Sequence, residues 1–470
     1  MVRKTPSKRN FWNLTEGFKG DKIILMVALL LMGISIIAVF SSTTLLANMG
    51  AGGDRVSIVK DQLISVAIGL GLMAFCYFCI KRTGVFRFFS QFGFILCLIL
   101  LVILMFHIPN PIFRFPKREV ARRVLLLGGM QIHVFEVVKV VMVMYVAWAV
   151  SSYKEGKFTF FQNFAQKNPT FKWVGHELFT EWVYIFLPMA ITAGLVIMGS
   201  NSAAILITGI LILLCLLGGM KFKHIAGFVM VLAIGGGIFF TVKMARGSKG
   251  GDGGVNRVQT LWSRITNSDE ANLDSLYKLP VGSPEFYEVK DKLIQPISAE
   301  LAIKKGGIFG RMIGNSSQKY VTAAIYEDYM YSFIVEETGL IGALLIIMLY
   351  LSLLARGVMI VNDCGDNLFA KLAVAGLILM ICSQAFLHMA VNVHLIPQTG
   401  QTLPMISHGS SALIMFCLAF GIILSISRNV WVKMQKREAD AVPIIEHSDE
   451  VQDGLNDLEL LENLNDDDEQ

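Results

Sequence analysis

Glu327 and Asp328 stand side by side where a polar stretch, GNSSQKYVTAAIY, gives way to an apolar run, MYSFIVEETG. That run encloses two further carboxylates, Glu336 and Glu337. A carboxylate at such a boundary has two readings. It is a helix N-terminal acid favoured by the helix dipole, or it is a group whose partial desolvation raises its proton affinity into the range of a general base. Successive helical residues point about 100° apart, so Glu327 and Asp328 are not expected to share one role. A second charged set lies elsewhere: Glu136 and Lys139 are three residues apart within another apolar run, close enough on one helix face to form a structural ion pair. Glu336 and Glu337 cannot both face lipid, and are expected to pair with basic groups inside a bundle.

The elements that must position these groups are membrane helices. The 470-residue chain is 54% hydrophobic and 16% charged, with mean hydropathy +0.59, against about a quarter charged in a soluble domain. Spans need about 20 mostly apolar residues. Ten candidates follow, at 23–43, 63–80, 90–107, 132–151, 183–199, 202–219, 223–242, 330–355, 368–391 and 409–428. The expected architecture is an all-α polytopic bundle from 23 to 430, with a cytoplasmic N-terminal segment (1–22) and an acidic cytoplasmic tail (431–470). A large extracytoplasmic loop, 243–329, lies between spans seven and eight, and its second half is expected to be ordered. The first apolar run is long enough to remain as an anchor rather than a cleaved signal.

Charge sets the orientation. The whole chain carries +5, yet residues 446–470 hold eleven acids and no Lys or Arg, which leaves the remainder at +16. The basic clusters alternate so that both termini are cytoplasmic, as the positive-inside rule requires. Segment 108–123, with Arg114, Lys117, Arg118, Arg122 and Arg123, breaks the pattern on the outer side; it is either an anion-binding loop or a tolerated short basic one. No aromatic-interleaved basic patch points to nucleic acid. The seven cysteines, including the Cys76/Cys79 pair within a hydrophobic helix, read as small buried hydrophobes. Ser383, Gln384, His388 and Asn392 form a polar stripe expected to glue helices together. The stretch VNVHLIPQTGQTLPMISHGSSALIMF holds Pro397, Gly400, Pro404 and Gly409, so it is expected to be a broken, cavity-lining loop at the outer face.

Together these segments resemble the SEDS family (shape, elongation, division and sporulation), the FtsW/RodA/SpoVE membrane glycosyltransferases, over about residues 20–430. LAIKKGGIFGRMIGNSSQK resembles the family's Gly-rich turn and G-N-S-x-Q-K. AAIYEDYMYSFIVEETG resembles P-E-A-x-x-D-F-I-F-x-x-x-x-E-E-x-G. NVHLIPQTGQTLPMISHGSS resembles P-x-x-G-x-T-L-P-x-I-S-x-G-G-S, and RRVLLLGGMQIHVFEVVK resembles R-W-x-x-L-G-x-x-x-F-Q-P-S-E-x-x-K. There are departures: His133-Val134-Phe135 replaces Gln-Pro-Ser, Val124 the tryptophan, Ser200-Asn201 a Pro-Asp pair, and Ser410 a glycine. The proline of P-E-A is absent. An FtsW-type, division member is the closer resemblance.

The resemblance implies an inverting peptidoglycan polymerase that joins lipid II units into glycan strands at the outer face of the bacterial cytoplasmic membrane. It places the family's essential aspartate on Asp328 as catalytic base. It implies Lys319, Gln318, Asn315, Ser316, Lys305, Arg264, Arg123, Thr402 and Ser407 around the substrate, with Lys304 and Arg311 as further cations. A divalent cation, Mg2+ or Mn2+, could assist the leaving group. The implied partners are lipid II, the growing glycan on undecaprenyl diphosphate, a class B penicillin-binding transpeptidase and other divisome or elongasome membrane proteins. Two other readings stand beside it: a lipid II flippase, and an inactive scaffold for the transpeptidase.

Overall fold

A single acid starts the bundle. Asp21 caps the first helix, α1 (Lys22–Ser42), by accepting from the N–H groups of Ile23 and Ile24 at 3.0 Å each, as an N-cap carboxylate should. The same carboxylate pairs with Arg356 at 2.6 Å, and the Asp21 N–H donates to Ser427 Oγ at 2.9 Å. One residue therefore ties the first helix to the two longest ones.

In the computed structural model, the described residues are 18–43, 55–108, 113, 124–127, 130–167, 169–247, 280, 283–321 and 325–441. After α1 come α2 (Arg55–Cys79), α3 (Thr83–Ser90) and α4 (Gly93–Phe106), then a hairpin of β1 (Val124–Leu127) and β2 (Met130–His133). There follow α5 (Val134–Lys154), α6 (Phe160–Lys167), α7 (Glu177–Ile197, with a π turn at Trp182–Phe186), α8 (Asn201–Leu217) and α9 (Phe222–Gly247). The last four are α10 (Pro284–Gly306), α11 (Met330–Asp363), α12 (Leu368–Asn392) and α13 (Ser410–Ala441). Among the described residues, seven helices are long and apolar enough to cross a bilayer, and the α3–α4 pair, bent by 44°, makes an eighth. The expected span at 90–107 is thus a bent pair, and α8 is shorter than a full span.

Hydrophobicity all round a helix marks lipid on one side and protein on the other. On α1, Leu30, Ile37 and Phe40 face outward while Val27, Leu31 and Ser35 are buried. The most enclosed helices are α5 and α13, whose apolar windows are 78% buried, followed by α12 at 67%. Small residues allow close approach between them, as expected in membrane bundles: a Cβ on Gly421 of α13 would come within 2.9 Å of the Met73 Cα on α2.

The polar loop before α11 is ordered in its second half, as α10 and the segment that follows it. That segment is clasped to α11 across a break in the helix. Gly339 has φ 72° and ψ −168°, a combination open essentially only to glycine. The break frees α11 main-chain groups to pair with the turn at 307–311: Leu340 N–H donates to Gly307 O at 2.9 Å, and Arg311 N–H to Glu336 O at 2.9 Å. A Cβ on Gly339 would lie 2.2 Å from the Ile308 carbonyl oxygen. Gly339→Ala is therefore expected to destabilise the protein by about 2 kcal/mol or more, whereas Gly209→Ala in α8, where an added Cβ meets nothing within 4 Å, should hold or raise stability. Thermal unfolding of the two purified variants in one detergent checks the contrast.

Candidate active site

Three irregular segments meet at the end of the bundle where α11 begins. The first is the turn 325–329, which carries Glu327 and Asp328. The second is the break between α12 and α13, residues 393–409, and the third is the β1–β2 hairpin, whose His133 N–H donates to Ser411 Oγ at 2.8 Å. The hairpin was not expected from the sequence. Its register pairs Leu127 with Met130, and the Gly-Gly dipeptide between these apolar runs in the sequence is a hairpin signal.

The break is irregular backbone, as its prolines and glycines imply; residues 393–397 are exposed, and the stretch 401–407 is enclosed in protein. Unpaired carbonyls at this depth are costly, and side chains from the helices capture them in turn. Ser202 of α8 donates to Thr399 O at 2.6 Å, and His388 Nδ1 of α12 lies 2.7 Å from Gln401 O. Gln384 of α12 donates to Thr402 O at 3.0 Å, Tyr350 Oη of α11 to Pro404 O at 2.5 Å, and Ser35 of α1 to Ile406 O at 2.9 Å. For His388, donation from Nδ1 leaves Nε2 as the acceptor for Tyr331 N–H at 3.4 Å. Gln384, His388 and Asn392 do form a stripe, which ties α12 to α5 and α11 and also serves loop and turn backbone.

The turn with the two acids is pinned through its main chain. Ser407 Oγ donates to Glu327 O at 2.9 Å, His408 N–H to Tyr326 O at 3.0 Å, and Asn392 Nδ2 to Asp328 O at 3.2 Å. Asn392 Oδ1 in turn accepts from Ser332 N–H at 2.9 Å, in the first turn of α11. Both acids are half-buried. Burial, and then the neighbouring Asp328 charge, push the Glu327 carboxyl up to about 7. The ring of His408 packs edge-on to Tyr326, and burial holds it below the usual histidine range.

Beneath the turn, Lys139 is buried and holds Glu136 at 2.6 Å, so the anticipated pair on α5 is present. The ammonium also donates to Gln384 Oε1 and, at 3.3 Å, to Gln401 Oε1. One charge thus joins α5, α12 and the broken loop.

The G-N-S-x-Q-K segment is placed differently from the sequence expectation. Ser316 Oγ donates to Glu336, and Ser317 donates to the same carboxylate through its N–H (2.9 Å) and its hydroxyl (2.8 Å). Glu337 takes Ser41 Oγ and Gly314 N–H (2.9 Å). The two glutamates therefore rest on hydroxyls and amides; the nearest cation to Glu336 is Arg311 at 3.8 Å. Lys319 and Gln318 are buried, with Lys319 Nζ on the Gly314 carbonyl. The ammonium favoured for an anionic substrate is turned inward and braces the segment. Lys305 remains on the surface, bonded to Ser317 Oγ at 2.9 Å, and Asn315, Lys304 and Arg311 are exposed. Thr402 is half-buried and Ser407 buried in the loop. Arg123 and Arg264 lie outside the described residues, as do segments 114–123 and 446–470. Among the described residues, no group of three His, Cys, Asp or Glu could hold a metal ion; Glu327 and Asp328 alone do not make such a set.

With this geometry in view, the comparisons with known proteins decide the family. Residues 21–431 match the model of the FtsW/RodA/SpoVE family, described as cell cycle protein. The chain belongs to this family. It is 25% identical over 415 residues to stage V sporulation protein E of Bacillus subtilis, covering 88% of this chain and 98% of that one. It is 27% identical over 428 residues to the probable peptidoglycan glycosyltransferase FtsW of the same organism, covering 89% and 93%. Among solved structures, RodA of Thermus thermophilus superposes with a TM-score of 0.54 at 18% identity, covering 88% and 98%. A chain from a study of polymerization and crosslinking by a peptidoglycan synthase complex gives 0.58 at 15% identity, covering 87% and 98%. These two show a shared fold.

The Glu327 carboxyl yields a pH test. Its folded form keeps a proton to about pH 7, while an unfolded glutamate ionises near 4.3. The native state therefore binds more protons between those values, and the contribution to stability, full below about 4.3, is lost as pH rises through 7. Glu327→Gln is expected to remove that slope, so its melting temperature should gain on the wild type between pH 5 and 8. Melting curves across that range would show it.

Proposed function

We propose that this integral membrane protein, whose relatives include probable peptidoglycan glycosyltransferases, polymerises lipid II with Asp328 as the general base. The observation that carries the reading is the pinned turn: Ser407, His408 and Asn392 hold the main chain on either side of Asp328 at the mouth of the broken loop. Positioning of this kind is what a proton-transfer group needs. Of the two acids, Glu327 is held up to about 7 by burial and then by the neighbouring Asp328 charge, and Asp328 is the one that the family motif places as the base.

The reaction asks for three things, and the site has candidates for each. Asp328 takes the proton from the 4-hydroxyl of an acceptor sugar as that oxygen bonds to the anomeric carbon of the donor. The anomeric C–O bond to diphosphate breaks with inversion, and undecaprenyl diphosphate leaves with the electron pair. Exposed Lys305 and Arg311, at the same end of the bundle, are the described cations best placed to meet the diphosphate; Arg123 and Arg264 are further candidates from the sequence. The polyprenyl tail stays in lipid beside the helices. This reading puts the Asp328 end at the outer face of the cytoplasmic membrane and both termini in the cytoplasm. It gives the chain a class B penicillin-binding transpeptidase as partner.

Purified protein with that partner should convert lipid II to glycan strands. Asp328→Ala should lower the rate by about a hundredfold or more, in a variant that still melts cooperatively because Ser407, His408 and Asn392 anchor the turn through backbone oxygens. Strands made equally well by both would remove Asp328 from the role. Strands from neither, with folded and partnered protein, would favour a flippase or scaffold, which a lipid-translocation assay then separates.

A further inference from the structure

At the opposite end of the bundle from Asp328, the bend between α3 and α4 leaves a recess against the end of α5. Its volume is about 380 Å3, and its lining includes Gly84, Arg87, Gln91, Trp148, Lys157 and Phe158. The recess lies where two spans stop, so it opens at the boundary between hydrocarbon and water. Phe88, which also lines it, and Phe92 on the same bent pair are 57% and 50% exposed. They continue the apolar wall outward along the lipid-facing surface.

The polar lining is rich in donors. Arg87 is fixed by two bonds to Glu155, at 2.8 and 2.7 Å, and a third to Ser152 Oγ at 3.1 Å. Lys157 Nζ lies 2.6 Å from the same carboxylate, with its side chain 58% exposed. Two cations thus share one anion, a local excess of one positive charge. The Arg87 hydrogen bond is the main cause that pushes the Glu155 carboxyl down to about 2, so this arrangement persists throughout the physiological range. Among the described residues, neither the Gln91 carboxamide nor the Trp148 indole N–H has a protein partner. A recess with surplus positive charge, unused donors and aromatic walls suits an anionic head group that carries its own hydrocarbon.

We infer that this recess binds the head group of an anionic glycerophospholipid from the leaflet at this end of the bundle. Lys157 and the free edge of Arg87 take the phosphodiester, Gln91 and Trp148 donate to phosphate or glycerol oxygens, and the acyl chains run along Phe88 and Phe92. A soluble phosphate ester shares the head-group chemistry but has no use for that wall.

The test is native mass spectrometry of the delipidated full-length protein, titrated with phosphatidylglycerol, phosphatidylcholine or glycerol 3-phosphate. Phosphatidylglycerol is expected to bind about tenfold more tightly than phosphatidylcholine, and millimolar glycerol 3-phosphate should fail to displace it. Lys157→Gln should weaken it about fivefold, the effect of one interfacial charge. Gly84→Trp, at a position where an added Cβ meets nothing within 4 Å, should fill the recess and do the same or more. If Gly84→Trp does not fold, Gln91→Leu takes its place beside Lys157→Gln. Equal affinity for the two lipids, unchanged binding by the folded variants, or displacement by glycerol 3-phosphate would each overturn the assignment.

Discussion

The structure turns on how a non-helical stretch of main chain is kept inside a membrane protein. Residues 399–406 expose carbonyl oxygens that no helix or sheet can satisfy, and each unsatisfied one would cost several kcal/mol in hydrocarbon. Side chains on α1, α8, α11 and α12 supply the missing donors. That requirement explains why polar residues stand in otherwise apolar spans, and why those spans must sit in one arrangement about the loop. Lys139 extends the same logic to α5, because its ammonium reaches Glu136, Gln384 and Gln401 together. A buried charge with one partner would be a liability; shared among three acceptors it fixes register between elements.

The acid pair inherits its position from that framework. The turn 325–329 hangs from the broken loop by Ser407 and His408 and from α12 by Asn392. Below it, α11 is held by a second device, in which Glu336 and Glu337 gather the hydroxyls and amides of residues 314–318. The two carboxylates are held chiefly by hydrogen-bond donors, and Arg311 adds an ion pair to Glu336 at 3.8 Å. The Gly339 break makes room for the clasp.

Much of this was legible in the residues. The apolar runs gave the helices, Pro397, Gly400 and Pro404 gave the break, and i, i+3 spacing gave the Glu136–Lys139 pair. What the sequence hid was direction. A lysine and a glutamine within a polar motif look like ligands for a substrate, yet Lys319 and Gln318 point inward, because the segment needs internal braces more than surface charge. The polar stripe on α12 has the right spacing for helix contacts and makes them with α5 and α11; only the fold shows that it also captures loop and turn backbone. The hairpin was hidden because eight apolar and polar residues flanking Gly128–Gly129 carry too short a period to outweigh the adjacent spans. The bend after Ser90 has no proline to announce it.

Ser407, His408 and Asn392 hold the 325–329 turn by its peptide oxygens. Chemistry and architecture are therefore written in separable parts of the same residues. A descendant could lose the acid and keep these three main-chain anchors in place. Such a lineage would decay as a catalyst long before it decayed as a building block, and its silence would leave no trace in the helices.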